Sequence, residues 1–133
     1  MVTPKTKVLV LYEDGRPDCE RLGLAIAERL DAERYEVLAC GASVLSVSEL
    51  LASKVYIFGA ETPGAPSYGE LARILKGINL AGRRAAFFGA TGAAVAWLRA
   101  ICADSEVLAA HADLVGRRPE SAALAAWLRG IAP

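Results

Sequence analysis

The sequence contains few of the residues from which disulfides and metal sites are built. Its 133 residues include three cysteines and one histidine, and no two cysteines form a Cys-x-x-Cys pair. Neither a disulfide framework nor a zinc site is therefore predicted, and no residue is assigned to a metal. Cys40 and Cys102 are interpreted as small buried hydrophobes, and His111 as a strand or loop residue.

Long apolar runs and an excess of one charge are also missing. A membrane span needs about 20 continuous apolar residues, whereas residues 85–98 are interrupted by two glycines and a threonine. The 15 basic and 15 acidic side chains balance, and the pairs Arg83-Arg84 and Arg117-Arg118 are interpreted as solvated loop positions. Neither a membrane nor a nucleic acid is therefore expected as a partner.

Length and composition predict one packed domain. With 133 residues and 54% hydrophobic side chains, the chain is expected to form a single domain over residues 1–133. Residues 1–7 lack the apolar segment and the small-residue cleavage site of a secretory signal. A cytoplasmic location is therefore expected.

Short apolar runs alternate with amphipathic stretches along the chain. Strands are predicted at residues 7–12, 35–40, 55–58, 84–88 and 106–115. This alternation of strands and helices predicts parallel pairing, right-handed crossovers and a sheet covered on both faces. The expected fold is α/β, a three-layer αβα sandwich with a five-stranded parallel sheet of strand order 2-1-3-4-5.

Helix starts are indicated by prolines and by hydroxyl residues. Pro17 suits the first turn of a helix after the first strand, and Pro119 is placed in the first turn of the last helix. Ser46 and Ser67 each stand three residues before a glutamate, which is the spacing of a capping box. Helices are therefore predicted to begin close to all four residues.

The predicted sheet places a ligand site at the carboxyl ends of its strands. The strand order reverses between the first and third strands, and loops 13–19, 59–68 and 89–93 are expected to meet there. Loops 59–68 and 89–93 are rich in small residues and proline, which let the backbone approach a flat ligand closely. The helix that starts in loop 13–19 offers its first N–H groups to an anion. Glycine after a parallel strand also serves the tight turn into a helix.

Three segments resemble a short-chain flavodoxin, and together they extend the likeness over essentially the whole chain. They are YIFGAETPGAPSYGEL from Tyr56, ILKGINLAGRRAAFFGATG from Ile74 and EVLAAHADLVGRRPESAALAAWLRGIA from Glu106. The resemblance implies a flavodoxin-like fold, FMN as cofactor, electron transfer and a redox partner protein. The cofactor-binding residues that it implies are Asp14, Gly15, Arg16, Asp18, Cys19, Gly59, Glu61, Thr62, Pro63, Gly64, Gly89, Ala90, Thr91 and Gly92.

The first loop departs from the hydroxyl-rich phosphate loop of flavodoxins. Pro17 removes one backbone donor, and Glu13, Asp14 and Asp18 surround the expected position of the phosphate. A unit charge pair 4 Å apart is worth about 4 kcal/mol at an effective dielectric constant near 20. Arg16 offsets part of that repulsion. Flavodoxins also tend to be strongly acidic, whereas this chain is balanced.

The aromatic side chains that flank the flavin in flavodoxins are also replaced. Pro63 and Ala93 stand at about those positions, Tyr68 is the nearby aromatic substitute, and Trp97 is interpreted as a core residue. Two functions therefore remain open. One is a small FMN-binding electron-transfer protein, and the other is a flavin-free flavodoxin-like module that binds a partner protein or another small ligand.

Two further alternatives are weaker. Glu13 and Asp14 resemble the paired acids of a response-regulator receiver, but the phosphoacceptor position falls at Phe58 or Gly59, which leaves at most a phosphate-independent receiver. A nucleophilic Cys19 at a helix start has no base partner nearby in the sequence. A non-catalytic carrier or binding module is therefore favoured over an enzyme.

Overall fold

The computed structural model describes residues 4–109 and 111–131, over which strands and helices alternate. The strands are β1 (Thr6–Tyr12), β2 (Tyr35–Gly41), β3 (Val55–Ala60), β4 (Arg84–Gly89) and β5 (Leu114–Val115). The α-helices are α1 (Pro17–Arg29), α2 (Val47–Ala52), α3 (Gly69–Leu75), α4 (Gly92–Ala103) and α5 (Ser121–Ile131). Short 3₁₀ turns cover Ala42–Val44 and Pro66–Tyr68.

The strands form one parallel sheet of order β2-β1-β3-β4-β5. In the centre of the sheet, Val10 of β1 pairs with Ala39 of β2 on one side and Ile57 of β3 on the other. The predicted fold class and strand order are confirmed. Because the strands are parallel, the loops after β1 and β3 leave the same edge of the sheet, and because the order reverses there, they lead to helices on opposite faces.

Apolar side chains pack on both faces of the sheet. On one face, α1 and α5 cover the strands with residues such as Ile26 and Leu128, and on the other α2, α3 and α4 do so with residues such as Leu50, Leu71 and Leu98. The apolar face of α5 packs against the sheet, and all of its members are buried: Leu124, Trp127, Leu128 and Ile131. None of the helices in the described ranges combines the length and apolar character that a membrane crossing requires.

Two strand predictions need correction. β3 does not stop before Gly59 but continues through Ala60, and β5 is only two residues long. Before Leu114, the predicted strand 106–115 pairs with β4, among the described residues, only through an isolated bridge between Leu108 and Arg84. Residue 110 lies outside the described residues. Arg99 gives the reason, because its guanidinium donates to the carbonyls of Ala109 and His111, which therefore need no strand partner.

Predictions about the helix starts were partly right. Pro17 begins α1, and Ser46 caps α2 by accepting from the Glu49 amide at 3.3 Å. The capping role of Ser67 is wrong, because α3 begins at Gly69 and follows a 3₁₀ turn without a side-chain cap. Pro119 was also misplaced, since it precedes α5 by two residues. A 3₁₀ turn precedes α3, whereas residues 119 and 120 lead into α5 without regular structure.

Candidate functional site

Glu13 follows β1 directly, and only 3% of its surface is exposed. Its carboxylate accepts hydrogen bonds from the amides of Glu61 at 2.8 Å and Thr62 at 3.1 Å, in the loop after β3. The Arg16 guanidinium donates to the same carboxylate at 3.0 Å. Because donors surround this buried charge, it is stabilised, and it holds the loops after β1 and β3 together.

Asp14 connects the same loop to two others. Its carboxylate accepts from the amide of Ser43 at 3.2 Å and from the Ser43 hydroxyl, in the turn after β2. Its own amide donates to the Ser67 hydroxyl at 3.2 Å, so Ser67 fixes a loop position instead of capping α3. Hydrogen bonds thus join the loops that follow β1, β2 and β3 into one surface.

Asp18 lies in the first turn of α1 and faces the loop after β5. Its carboxylate contacts Arg118 at 3.3 Å and Arg21 at 3.8 Å. Arg16 also reaches the Glu61 carboxylate at 3.8 Å. All three acids around the expected phosphate position therefore have cationic or hydrogen-bonding partners, and the repulsion expected from the sequence is reduced.

The first turn of α1 has backbone donors to offer. Its N-cap residue, Arg16, makes no side-chain capping hydrogen bond, and Pro17 has no amide hydrogen. The amides of Asp18 and Cys19 donate to no acceptor within residues 4–109 and 111–131. Free amides at the positive end of a helix dipole suit an anion such as a phosphate.

Two predicted ligand-contacting glycines belong to strands. Gly59 lies within β3, where a Cβ atom would come within 2.0 Å of the Phe88 ring, and its amide donates to the Tyr68 hydroxyl at 3.1 Å. Gly89 ends β4, where a Cβ atom would meet the Ala60 carbonyl at 2.8 Å. At both positions the absent side chain makes room for the protein's own atoms.

The remaining predicted residues of the β3 and β4 loops form the rim of the edge. Glu61, Thr62 and Ala90 are half-buried, whereas four are exposed: Pro63, Gly64, Thr91 and Gly92. The Thr91 hydroxyl caps α4 by accepting from the Ala94 amide at 3.2 Å. This rim offers backbone and small side chains to a flat ligand.

The nearby aromatic residues pack beneath this rim. Tyr68 is fully buried, and its hydroxyl lies 2.7 Å from the Gly59 carbonyl and 3.2 Å from that of Leu11. Burial raises the pKa of Tyr68 well above its ordinary value. Trp97 meets Tyr68 edge to face at 5.7 Å between ring centroids and is half-buried, so it is less enclosed than expected for a core residue. Tyr68 is therefore not free to stack on a ligand.

A small cavity lies inside the edge, among Asp18, Cys19, Ala60, Phe88 and Arg117. Its volume is about 10 Å³, which is close to what one water molecule needs. A flat ring system therefore has to bind against the exposed rim, or the loops have to move apart to admit it.

Cys19 packs at the start of α1 and is unsuited to nucleophilic chemistry. Only 4% of its surface is exposed, and the Glu13 amide donates to its sulfur at 3.4 Å. Burial raises the pKa of the thiol to about 12, so little thiolate exists near neutral pH. Cys102 is buried as expected, whereas Cys40 is half-buried and less enclosed than the sequence suggested.

We expect iodoacetamide at pH 8 to modify Cys40 first in the native protein. Burial raises the pKa of Cys19 and of Cys102 to about 12, and both side chains are inaccessible. Alkylation of these two should be about 100-fold slower than in the unfolded chain, because the thiolate is the reactive form. Peptide mass spectrometry over time checks this, with the protein in urea as the control. Rapid native labelling of Cys19 would contradict it.

His111 has a packing role. Its ring lies against Trp127 at 5.6 Å between centroids, and its Nε2 atom is 3.1 Å from the Trp127 carbonyl oxygen. Across the part of the chain that the structure describes, no group of three or more His, Cys, Asp or Glu side chains is arranged to hold a metal ion.

The sequence analysis missed several residues that assemble the edge. Ser43 and Ser67 hold Asp14, yet serine in a loop gives no signal that an aspartate 29 or 53 residues away will contact it. Arg118 is exposed, as expected for a solvated loop residue, and it also pairs with Asp18, 100 residues earlier in the chain. The parallel sheet creates both contacts by bringing distant loops to one edge.

The strand order, with its reversal between β1 and β3, and the two helical layers define a flavodoxin-like α/β fold. Solved structures agree. Flavodoxin 2 from Bacillus cereus matches with a TM-score of 0.80 at 22% identity, covering 96% of this chain and 98% of that one. The Streptococcus pneumonia TIGR4 flavodoxin matches with a TM-score of 0.77 at 14% identity, covering 97% and 98%.

A short-chain flavodoxin associated with a bacterial microcompartment also matches, with a TM-score of 0.76 at 12% identity and 96% of each chain covered. No protein-family model matches the sequence, and no curated protein sequence does so. At these identities the likeness establishes the flavodoxin-like fold.

Proposed function

We propose that this protein binds FMN at the carboxyl edge of the sheet and carries electrons to or from a redox partner protein. The observation that carries the proposal is the uncapped first turn of α1, where the amides of Asp18 and Cys19 point to no acceptor in the described chain. The structural neighbours include three flavodoxins, which supports a flavin over other anionic ligands.

The charges at the edge are compatible with a phosphate. The carboxylates of Glu13 and Asp14 accept hydrogen bonds from other parts of the protein, and the Asp18 carboxylate forms an ion pair with Arg118. Arg16, the N-cap residue that precedes the free amides, is about half exposed, and its guanidinium is shared by Glu13 and Glu61. A phosphate placed here would therefore meet donors and a guanidinium before it meets an unpaired carboxylate.

The ring of the flavin would lie against the rim formed by the β3 and β4 loops. Bound FMN supplies the redox chemistry, while the protein holds and orients it and tunes its surroundings. In the described residues, the half-buried Thr62 and Ala90 offer small side chains for this contact. Without stacking from Tyr68, the ring would be held weakly, and the phosphate would supply most of the affinity.

We expect FMN to bind at least about tenfold more tightly than riboflavin, because riboflavin lacks the phosphate that the first turn of α1 would hold. Flavin fluorescence during titration measures both affinities, and the visible spectrum of the freshly purified protein shows whether a flavin is retained. Equal affinities would contradict a phosphate site at α1. Undiminished fluorescence of FMN at all protein concentrations would contradict flavin binding altogether.

A second candidate function is a flavin-free module that binds a partner protein or another ligand through this edge. Glu13 favours it, because its carboxylate already occupies the amides of Glu61 and Thr62 in the loop that would contact the ring. In this case the purified protein would be colourless, and phosphate would not perturb the NMR signals of the Asp18 and Cys19 amides.

A further inference from the structure

A groove of about 320 Å³ lies between α1 and α5, on the opposite side of the sheet from α3 and α4. Its floor is aliphatic and is formed by Leu22, Ala25, Pro119 and Leu124. Its volume falls within the range of about 300 to 1,000 Å³ that is usual for small-molecule sites. The α1–α5 groove is separate from the rim formed by the β3 and β4 loops, although Asp18, at the expected phosphate position, also lines it.

Arginines line the α1–α5 groove. Four of them, Arg21, Arg29, Arg117 and Arg118, stand against one acidic lining residue, Asp18, which gives the lining a net charge of three positive units. The chain as a whole has equal numbers of basic and acidic side chains. The positive charge of the groove is therefore a local concentration, of the kind that attracts anions.

Two of these guanidinium groups have no partner among the described residues. Arg21 and Arg118 share the Asp18 carboxylate, at 3.8 and 3.3 Å. Arg29 and Arg117 form no ion pair or side-chain hydrogen bond within residues 4–109 and 111–131. Free guanidinium groups present a planar set of donors that matches phosphate oxygens.

An aliphatic floor beneath an arginine rim suits a ligand with a flat apolar part and an anionic part. We propose that the α1–α5 groove binds a nucleoside diphosphate, with the base on the floor and the phosphates between the arginines. The inference goes beyond the proposed function, because the groove shares only Asp18, Leu22 and Arg117 with the cavity inside the sheet edge.

The test uses the whole flavin-free protein, isothermal titration calorimetry at low salt, and three probes: ADP, pyrophosphate and adenosine. We expect ADP to bind at least about tenfold more tightly than pyrophosphate or adenosine, since only ADP uses both parts of the groove. If pyrophosphate bound as tightly as ADP, the groove would not recognise the nucleoside. If ADP did not bind at millimolar concentration, the proposed site would be wrong.

Matched variants locate the binding. Arg29→Gln combined with Arg117→Gln should weaken ADP about tenfold or more, because it removes the two free guanidinium groups. Arg73→Gln is the control, since Arg73 is an exposed arginine of α3 on the opposite face. An equal loss in the control would overturn the assignment. Repeating the ADP titration with FMN present separates the two proposals. Competition between FMN and ADP would overturn a separate site in the groove, and this holds whether or not FMN binding is confirmed.

Discussion

Replacing Gly59 with alanine is expected to lower the free energy of unfolding by about 3 kcal/mol or more. An added Cβ atom would lie 2.0 Å from two atoms of the Phe88 ring, in a strand whose residues are all buried. Overpacking of a core typically costs about 1–3 kcal/mol and sometimes more. Here the cost should lie at the upper end, because Phe88 is itself 1% exposed and has little space to move.

Gly69→Ala is the matched control for this substitution. Gly69 begins α3 with ordinary helical backbone angles, and nothing lies within 4 Å of an added Cβ atom. Alanine there should stabilise the protein slightly, by about 0.5 kcal/mol. Urea unfolding of both variants measures the difference. If Gly59→Ala were as stable as the wild type, the close packing of Phe88 against β3 would be wrong.

Gly59 also illustrates what a single sequence can predict about this fold. The apolar runs predicted the strands, because a buried parallel strand leaves a continuous pattern of branched and aromatic residues. Their alternation with helices predicted both helical layers, and the strand order followed as the common arrangement for such a domain. The role of a glycine at a strand end leaves no such pattern. A glycine at such a position can allow a turn, the approach of a ligand or the packing of a neighbouring ring. At Gly59 it allows the packing of the Phe88 ring.

The arrangement of charges was harder to predict than the sheet. From the sequence, Asp14 and Asp18 were expected to repel a phosphate, with Arg16 offsetting part of that repulsion. The structure gives each acid a partner from a distant loop, Ser43 for Asp14 and Arg118 for Asp18. These contacts depend on which loops the parallel topology places side by side. The topology was predictable, but the reach of individual side chains across the edge was not.

Replacing Glu13 with alanine is expected to lower the free energy of unfolding by about 2–4 kcal/mol. The buried carboxylate accepts from the amides of Glu61 and Thr62 and from the Arg16 guanidinium, and alanine would leave these donors without an acceptor. Glu28→Ala on the exposed face of α1 is the control, since it removes the same charge from solvent. It should change stability by less than about 0.5 kcal/mol.

The effect of Glu13→Ala should also be local to the edge. With the carboxylate absent, the amides of Glu61 and Thr62 should exchange with solvent at least about tenfold faster, while amides in the centre of β1 change only with global stability. NMR hydrogen exchange measures this directly. Unchanged exchange at Glu61 and Thr62 would show that Glu13 does not hold the β3 loop. Faster exchange there together with tighter FMN binding would show that Glu13 competes with the flavin ring for the same two amides, which connects the buried acid to both proposed functions of the edge.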